Sequence, residues 1–480
     1  MFTASRIRLL AVTCTALFMA MLDNLVLGVA LPSIQQSFHA TMTDLQWFMN
    51  AYTLAFAVLL IPFSVLGERF GRKRMFLAGV VLFTLGSAFS GMSGSAVELI
   101  LARALQGIGG AAIVPLSLTL VNGAFPENRR AAALGIWSGI SGLGLSVGPL
   151  VGGLIVEGAP WQLIFWINVP VGVLAFAFGT LWLGESKGER KPVDLPGIVL
   201  LAAGLFGIVF GLEHGNTDGW GSRPVVLPLA GGTALLLAFY LWERTRRQPF
   251  VRFDLFRNGS YTAYIAAGFW MNAGIFGAIF LLTLFLQQGQ GYSALEAGVR
   301  TMAWTGCTMI AAPLAGFAVQ RFGNRALLSL GLLLQGMALV GFGLLIASRG
   351  VDFPFGYQAP LMMMAGFGMG LSFTPLSHGV LTSVPEAAAG EASGVSNATR
   401  ELGGVFGIAI GGLIFQTGGP IRTPAEFGDH IVPALAGAAG MLALGLVCIA
   451  LITRRAAQAG GRQAASATSQ NHTSLSPKPE

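Results

Sequence analysis

Two charges stand inside segments that are otherwise apolar. Asp23 lies within LLAVTCTALFMAMLDNLVLGVALP, and Arg103 lies within ELILARALQGIGGAA. An ionised Asp at the centre of a membrane helix costs about 2.5–3.5 kcal/mol, so such a group is a functional candidate by default. The chemistry open to it is proton binding, because a carboxyl's occupancy depends on its burial and on whether a cation stands beside it. Asp23 falls about eight residues from one end of its run, and Arg103 about six from the matching end of its own. At 1.5 Å per residue these depths are roughly 12 and 9 Å, so two helices can hold the groups at similar height. A static ion pair that only fixes two helices is the simpler alternative. Arg400 and Glu401 are additional charges, near enough to a span end for Arg400 to snorkel and for Glu401 to neutralise it. Glu157, Glu213, Glu243 and Glu296 fall at span ends and are expected to be solvated.

The elements that must position these groups are membrane helices. Of 480 residues, 54% are hydrophobic and only 10% are charged, against about a quarter charged in soluble domains. About fourteen apolar runs, from 9–31 to 432–453, are each long enough to cross a bilayer. With the amino terminus in the cytoplasm, the basic clusters at Arg6, Arg8, Arg69–Arg74, Arg129, Arg130, Arg190 and Arg244–Arg257 fall inside. Only Arg223, Arg349 and Arg422 then fall outside. This asymmetry selects both the span number and the orientation, with both termini cytoplasmic. It also accounts for the net charge of +7 without a nucleic-acid partner. Cys14, Cys307 and Cys448 lie in apolar runs without ligand-like spacing, so no disulfide framework, metal or other cofactor is expected. The polar stretch from about 454 to 480 is expected to be a disordered cytoplasmic tail.

An internal repeat organises the spans. GIWSGISGLGLSVGPLVGGLI (135–155) returns as GVSNATRELGGVFGIAIGGLI (394–414), and RFGRKR (69–74) is echoed by RFGNRA (321–326). Spans 1–6 therefore match spans 9–14, and spans 7 and 8 are an insert. The expected units are 1–184, a linker with two extra helices over 185–258, a second half over 259–453, and the tail. Two such parallel halves are a transporter layout with the substrate site between them. GLSVG (144–148) formally fits a nucleophile elbow, but that Ser needs a strand-to-helix turn and here sits mid-span. GIGGAA (107–112) has no preceding strand, and no nucleotide-binding G-x-x-x-x-G-K-[ST] occurs. An enzyme is not expected.

These motifs resemble the major facilitator superfamily, specifically its fourteen-span drug:proton antiporter family, over nearly the whole chain except the tail. SVLGERFGRKR (64–74) resembles the family's loop motif through Arg69, Gly71, Arg72 and Lys73, with Ser64 at the usual Gly and Glu68 at the usual Asp. Gly144, Gly148, Pro149, Gly152 and Gly153 fit the antiporter motif of span 5, whose second copy has Ile408 in place of the proline. LDNLVLGVALPSI (22–34), LARALQGIGGAA (101–112) and WINVPVG (166–172) resemble further signatures. The resemblance implies a major facilitator fold, a latch of helix ends around Glu68 and Arg69, and a bent, close-packed span 5 that controls leak and direction. It further implies a central cavity lined by spans 1 and 4, where Asp23 and Arg103 can approach and couple protons to transport. The expected function is export of bulky, amphipathic drug-like or antibiotic molecules against protons, by a monomer in a bacterial plasma membrane. Dedicated export of one secondary metabolite, or a membrane receptor without transport, are the alternatives.

Overall fold

The computed structural model describes residues 3–188, 194–246, 249, 251–385, 388–419, 421 and 423–473. The loop residues Arg190, Lys191, Arg247 and Arg422 and the tail end 474–480 lie outside the described residues. The chain is almost wholly helical: α1 (Ala4–Phe38), α2 (Met42–Phe70), α3 (Arg72–Met92), α4 (Ala96–Ala124), α5 (Glu127–Gly158) and α6 (Leu163–Trp182) form the first half. Helices α7 (Leu195–Asp218) and α8 (Arg223–Thr245) are the insert. A 56-residue helix, Ala294–Arg349, departs from helical geometry at Gly323 and supplies two spans, α10 (294–322) and α11 (324–349). With α9 (Gly259–Leu284), α12 (Phe355–Thr382), α13 (Ala389–Gln416) and α14 (Pro424–Thr473), thirteen helices among the described residues are long and apolar enough to cross a membrane, or fourteen once the 56-residue helix is divided at Gly323, which matches the number of apolar runs.

The repeat is expressed in backbone detail. Gly71 (φ 119°) breaks α2 from α3, and its counterpart Gly323 (φ 77°) breaks α10 from α11. A side chain would be strained in either conformation. The helices entering these turns start alike: Thr41 and Ser293 each cap their helix in a reciprocal capping box, with Asp44 and Glu296 respectively. The same two small motifs thus recur at one spacing, at both ends of α2 and of α10.

Within each half, a stripe of glycines sets a close helix contact. Gly144, Gly148 and Gly152 of α5 lie against Phe18, Leu22 and Val26 of α1; a Cβ at Gly148 would stand 3.1 Å from the Leu22 carbonyl oxygen. Gly403, Gly407 and Gly411 of α13 lie in the same way against Phe269, Ala273 and Gly277 of α9. Small residues permit this approach, which replaces the hydrophobic drive that lipid cannot supply. The second glycine of each doublet reaches the other half: Gly153 meets Ala294 and Leu295 of α10, and Gly412 meets Gln46 of α2.

The halves close on each other at the end of the bundle away from Ala4. Ser146 and Thr305 exchange hydrogen bonds to each other's backbone (3.1 and 3.0 Å), and Gly298 of α10 abuts Pro149. Gln46 donates to the Ile408 and Ala409 carbonyls (3.0 and 3.2 Å), and Gln287 of the turn after α9 donates to Val29 (3.0 Å). Toward the other end a Cβ at Gly135, Gly139 or Gly142 of α5, or at Gly306 or Gly316 of α10, would meet nothing within 4 Å. Helix α14 runs to Thr473. Its alanine-rich composition favours helix; side chains from residue 452 onward lie outside the described residues.

Candidate functional site

Asp23 and Arg103 meet. Both are buried (0% and 1% exposed), and Arg103 Nη1 is ion-paired to Asp23 Oδ2. Two further donors converge on Asp23 Oδ1: Gln106 Nε2 at 2.8 Å and Asn168 Nδ2 at 3.0 Å. Arg103 also donates to the Phe48 carbonyl (Nε, 3.1 Å) and to Gln106 Oε1 (2.8 Å), and its guanidinium lies 4.6 Å from the Tyr52 ring centroid. Ser87 Oγ accepts from Gln106 and Asn168 and donates to the Phe165 carbonyl (2.9 Å). Five helices, α1, α2, α3, α4 and α6, thus share one polar network. Breaking such a buried pair by removing one partner costs about 3–5 kcal/mol, since the other charge is left uncompensated. A change in the charge of Asp23 therefore acts on every helix in the network.

The glycine stripe presses on this centre from behind. Gly144, Gly148 and Gly152 hold α5 against the stretch of α1 that carries Asp23, and Pro149 sits between the last two. Glu401 and Arg400 lie half-buried on α13, with Arg400 5.1 Å from the Phe373 ring centroid and no ion pair between the two among the described residues.

The break between α2 and α3 is bridged by the acid of the loop motif. Glu68, at the end of α2, accepts two hydrogen bonds (2.9 and 2.8 Å) across Gly71 from Arg72, at the start of α3, while the Arg69 guanidinium lies 5.3 Å from the Phe70 ring centroid. The loop is tied to the segment after α6. Glu185 accepts from the backbone N–H of Lys73 and Arg74 at the positive start of α3, and the Lys73 ammonium reaches the Thr180 carbonyl (2.7 Å). Gly71 is held close, since a Cβ there would come 2.6 Å from the Glu185 carboxyl.

Comparison with known proteins decides the family. The pattern of the Major Facilitator Superfamily matches residues 13–408. The chain is 35% identical over 411 residues to the tetracenomycin C resistance and export protein of Streptomyces glaucescens, covering 85% of this chain and 76% of that one. It is 35% identical over 420 residues to the multidrug resistance protein Stp of Mycobacterium tuberculosis, with coverage of 85% and 76%. The chain belongs to the Major Facilitator Superfamily. The fold agrees: a bacterial homolog to the human lysosomal transporter Spinster superposes with TM-score 0.66 at 17% identity, covering 95% of this chain and 98% of that one. The superfamily match takes in Asp23, Arg103, the loop motif and most of both glycine stripes, and leaves α14 outside.

Two carboxylates lie elsewhere than expected. Glu213 and Glu243 are not solvated; each is 1% exposed. Glu243 Oε2 accepts from the Val251 N–H at 3.0 Å, and Glu213 Oε1 accepts from Asn50 Nδ2 at 2.7 Å. Both sit near helix ends, but neighbouring elements cover those ends. Glu157 and Glu296 are exposed, as expected. Of the aromatic residues, Trp47 packs against Phe206 and Phe210 of α7 and Trp304 bonds Met369, so both belong to helix packing. Ser146 of GLSVG is part of the closure between the halves.

Proposed function

We propose that this protein exports drug-like or antibiotic small molecules in exchange for protons. The observation that carries the reading is the buried Asp23–Arg103 pair at the hub of five helices. Protonating Asp23 removes the charge that holds Arg103, and the released guanidinium loosens its bonds to Phe48 and Gln106. Relaxation of α1 and α4 is then linked to proton occupancy, which is the requirement for exchange. The glycine stripe that presses α5 onto α1 supports the reading, because movement of α1 is transmitted to the Ser146–Thr305 closure. The basic-loop asymmetry places both termini in the cytoplasm, and the bacterial sources of the relatives favour a bacterial plasma membrane. The distal closure then faces outward, and the cargo enters from the cytoplasm between the halves.

Asp23→Asn keeps the shape but cannot titrate. It should abolish drug-induced proton movement in everted vesicles while the protein remains inserted; undiminished exchange would rule Asp23 out. The resistance-and-export name of the Streptomyces relative favours a second reading of the cargo, a single secondary metabolite. A resistance screen over chemically diverse compounds in an efflux-deficient host separates it from multidrug export: one compound class protected supports the dedicated exporter.

A further inference from the structure

The inserted helix α7 carries a buried carboxyl that the mechanism above does not use. Glu213 sits at the seam where both halves meet: α7 packs against α2 of the first half and α13 of the second. Its Oε1 accepts from Asn50 Nδ2 at 2.7 Å, and the same amide group donates to the Val405 carbonyl of α13 at 3.3 Å. One turn on, Asn216 of α7 donates to the Leu413 carbonyl of α13 at 2.7 Å. Glu213 Oε2 and Asn50 Oδ1 are both buried without a hydrogen-bond partner among the described residues. Each is an acceptor, so the pair lacks one donor.

Nothing cationic supplies it. On α2 the charged groups are Asp44, Glu68 and Arg69 at the helix ends; on α8 they are Arg223, Glu243 and Arg244; on α13 they are Glu391, Arg400 and Glu401. On α7 itself His214 faces the Phe210 carbonyl (2.9 Å) and Asp218 lies at the terminus, while on α4 Arg103 is committed to Asp23. None forms an ion pair with Glu213 among the described residues. A buried ionised carboxylate without a cation is costly. A single proton on Oε2 changes the account, because it creates the missing donor and lets the acid and the Asn50 amide pair reciprocally.

We propose that Glu213 is a second proton site, which permits the outer seam to close only when its carboxyl is neutral. This rests on the orientation and proton exchange proposed above. When α2 and α13 part, the carboxylate is reached from outside and takes up one proton from that side; the seam then shuts around the neutral acid. On reopening, the proton returns to the same side. No net proton crosses here, and the coupled proton remains that of Asp23. The insert thereby makes the return step wait for external protons.

The test measures the seam itself, without cargo. Spin labels at Met42 and Thr417, at the outer ends of α2 and α13, are placed in a protein lacking Cys14, Cys307 and Cys448, and their distance is followed against pH. The expected result is a short distance at low pH and a growing long-distance population as pH rises. Measured in the Asp23→Asn background, which takes the coupling acid out of the response, the seam should keep its pH dependence, and adding Glu213→Gln, whose amide supplies the missing donor permanently, should hold it short throughout. A pH response that survives in Glu213→Gln, or that is absent from the parent, overturns the proposal and leaves the Asp23 reading standing. If Glu213→Gln does not fold, Asn50→Ala serves. The infrared carbonyl band of a protonated carboxyl should be present in the parent and shift in that variant, and no shift overturns the proposal as well.

Discussion

At Arg103 a planar fork serves several partners at once: Nε bonds a carbonyl, Nη1 serves both a carboxylate and an amide, and the face lies over Tyr52. Lysine offers a point charge on a flexible stem and cannot span these partners. A hydrogen bond to a charged group contributes about 1.5–3 kcal/mol, which is roughly tenfold or more in a rate. Arg103→Lys is therefore expected to insert normally and lose at least about tenfold in drug-driven proton exchange; wild-type exchange would show that charge alone suffices. Asp23 and Arg103 were legible in sequence because a charge within an apolar run is conspicuous. Ser87, Gln106 and Asn168 were not, since uncharged polar side chains are common in membrane helices and only contact distances show where they point. Glu213 was misread for a different reason. Its distance from the helix end implied water, but α2 and α13 cover that end, and no feature of α7 itself announces them.

Among the elements, α7 starts on a titratable N-cap residue. Asp194 accepts from the Gly197 N–H at 3.2 Å and from the Trp242 indole at 2.9 Å, with Arg246 at 3.9 Å. Burial pushes this carboxyl up, but the hydrogen bonds with Trp242, Gly197 and Glu243 and the nearby Arg246 outweigh it and hold it below its ordinary value. A depressed folded value contributes stability above the unfolded value of about 3.9, and the contribution is lost as pH falls through the folded value. Asparagine caps a helix about as well as Asp, so Asp194→Asn isolates the charge. Thermal unfolding in detergent should show wild type more stable than Asp194→Asn near neutral pH, with the gap shrinking toward about pH 3. A gap that stays constant over that range would remove the carboxylate's role. Element number and order were readable because each apolar run is long. Helix ends were less so: α1 continues to Phe38, past the expected 31, and includes Pro32. There Gln35 accepts from Gln288, beyond α9, at 2.7 Å, while Gln36 is exposed, so polar side chains do not mark the helix end.

Over the whole molecule, the repeat makes the two halves legible in the sequence, but not which end they close. A repeat specifies how each half packs internally and gives each half a glycine against the other, Gly153 and Gly412; which end is shut depends also on side chains without a counterpart, such as Ser146, which aligns with Val405. The span 5 motif joins both kinds of contact in adjacent turns, which makes them separable. Gly148 faces Leu22 and Leu25 of its own half, whereas Gly153 faces α10 of the other half, where a Cβ would come 2.7 Å from the Ala294 carbonyl oxygen. Overpacking costs about 1–3 kcal/mol. Gly148→Leu should place that cost within the first half, lowering thermal stability and disturbing the seat of Asp23, while the Met42–Thr417 distance stays short. Gly153→Leu should place it on the closure alone. A penalty of about 1–3 kcal/mol is about 5- to 150-fold in an equilibrium, so the open population read from the same label pair should rise by that order at unchanged melting temperature. Equal effects of the two substitutions on the distance would mean that the halves do not move as bodies, and that the glycine stripe and the closure are one contact rather than two.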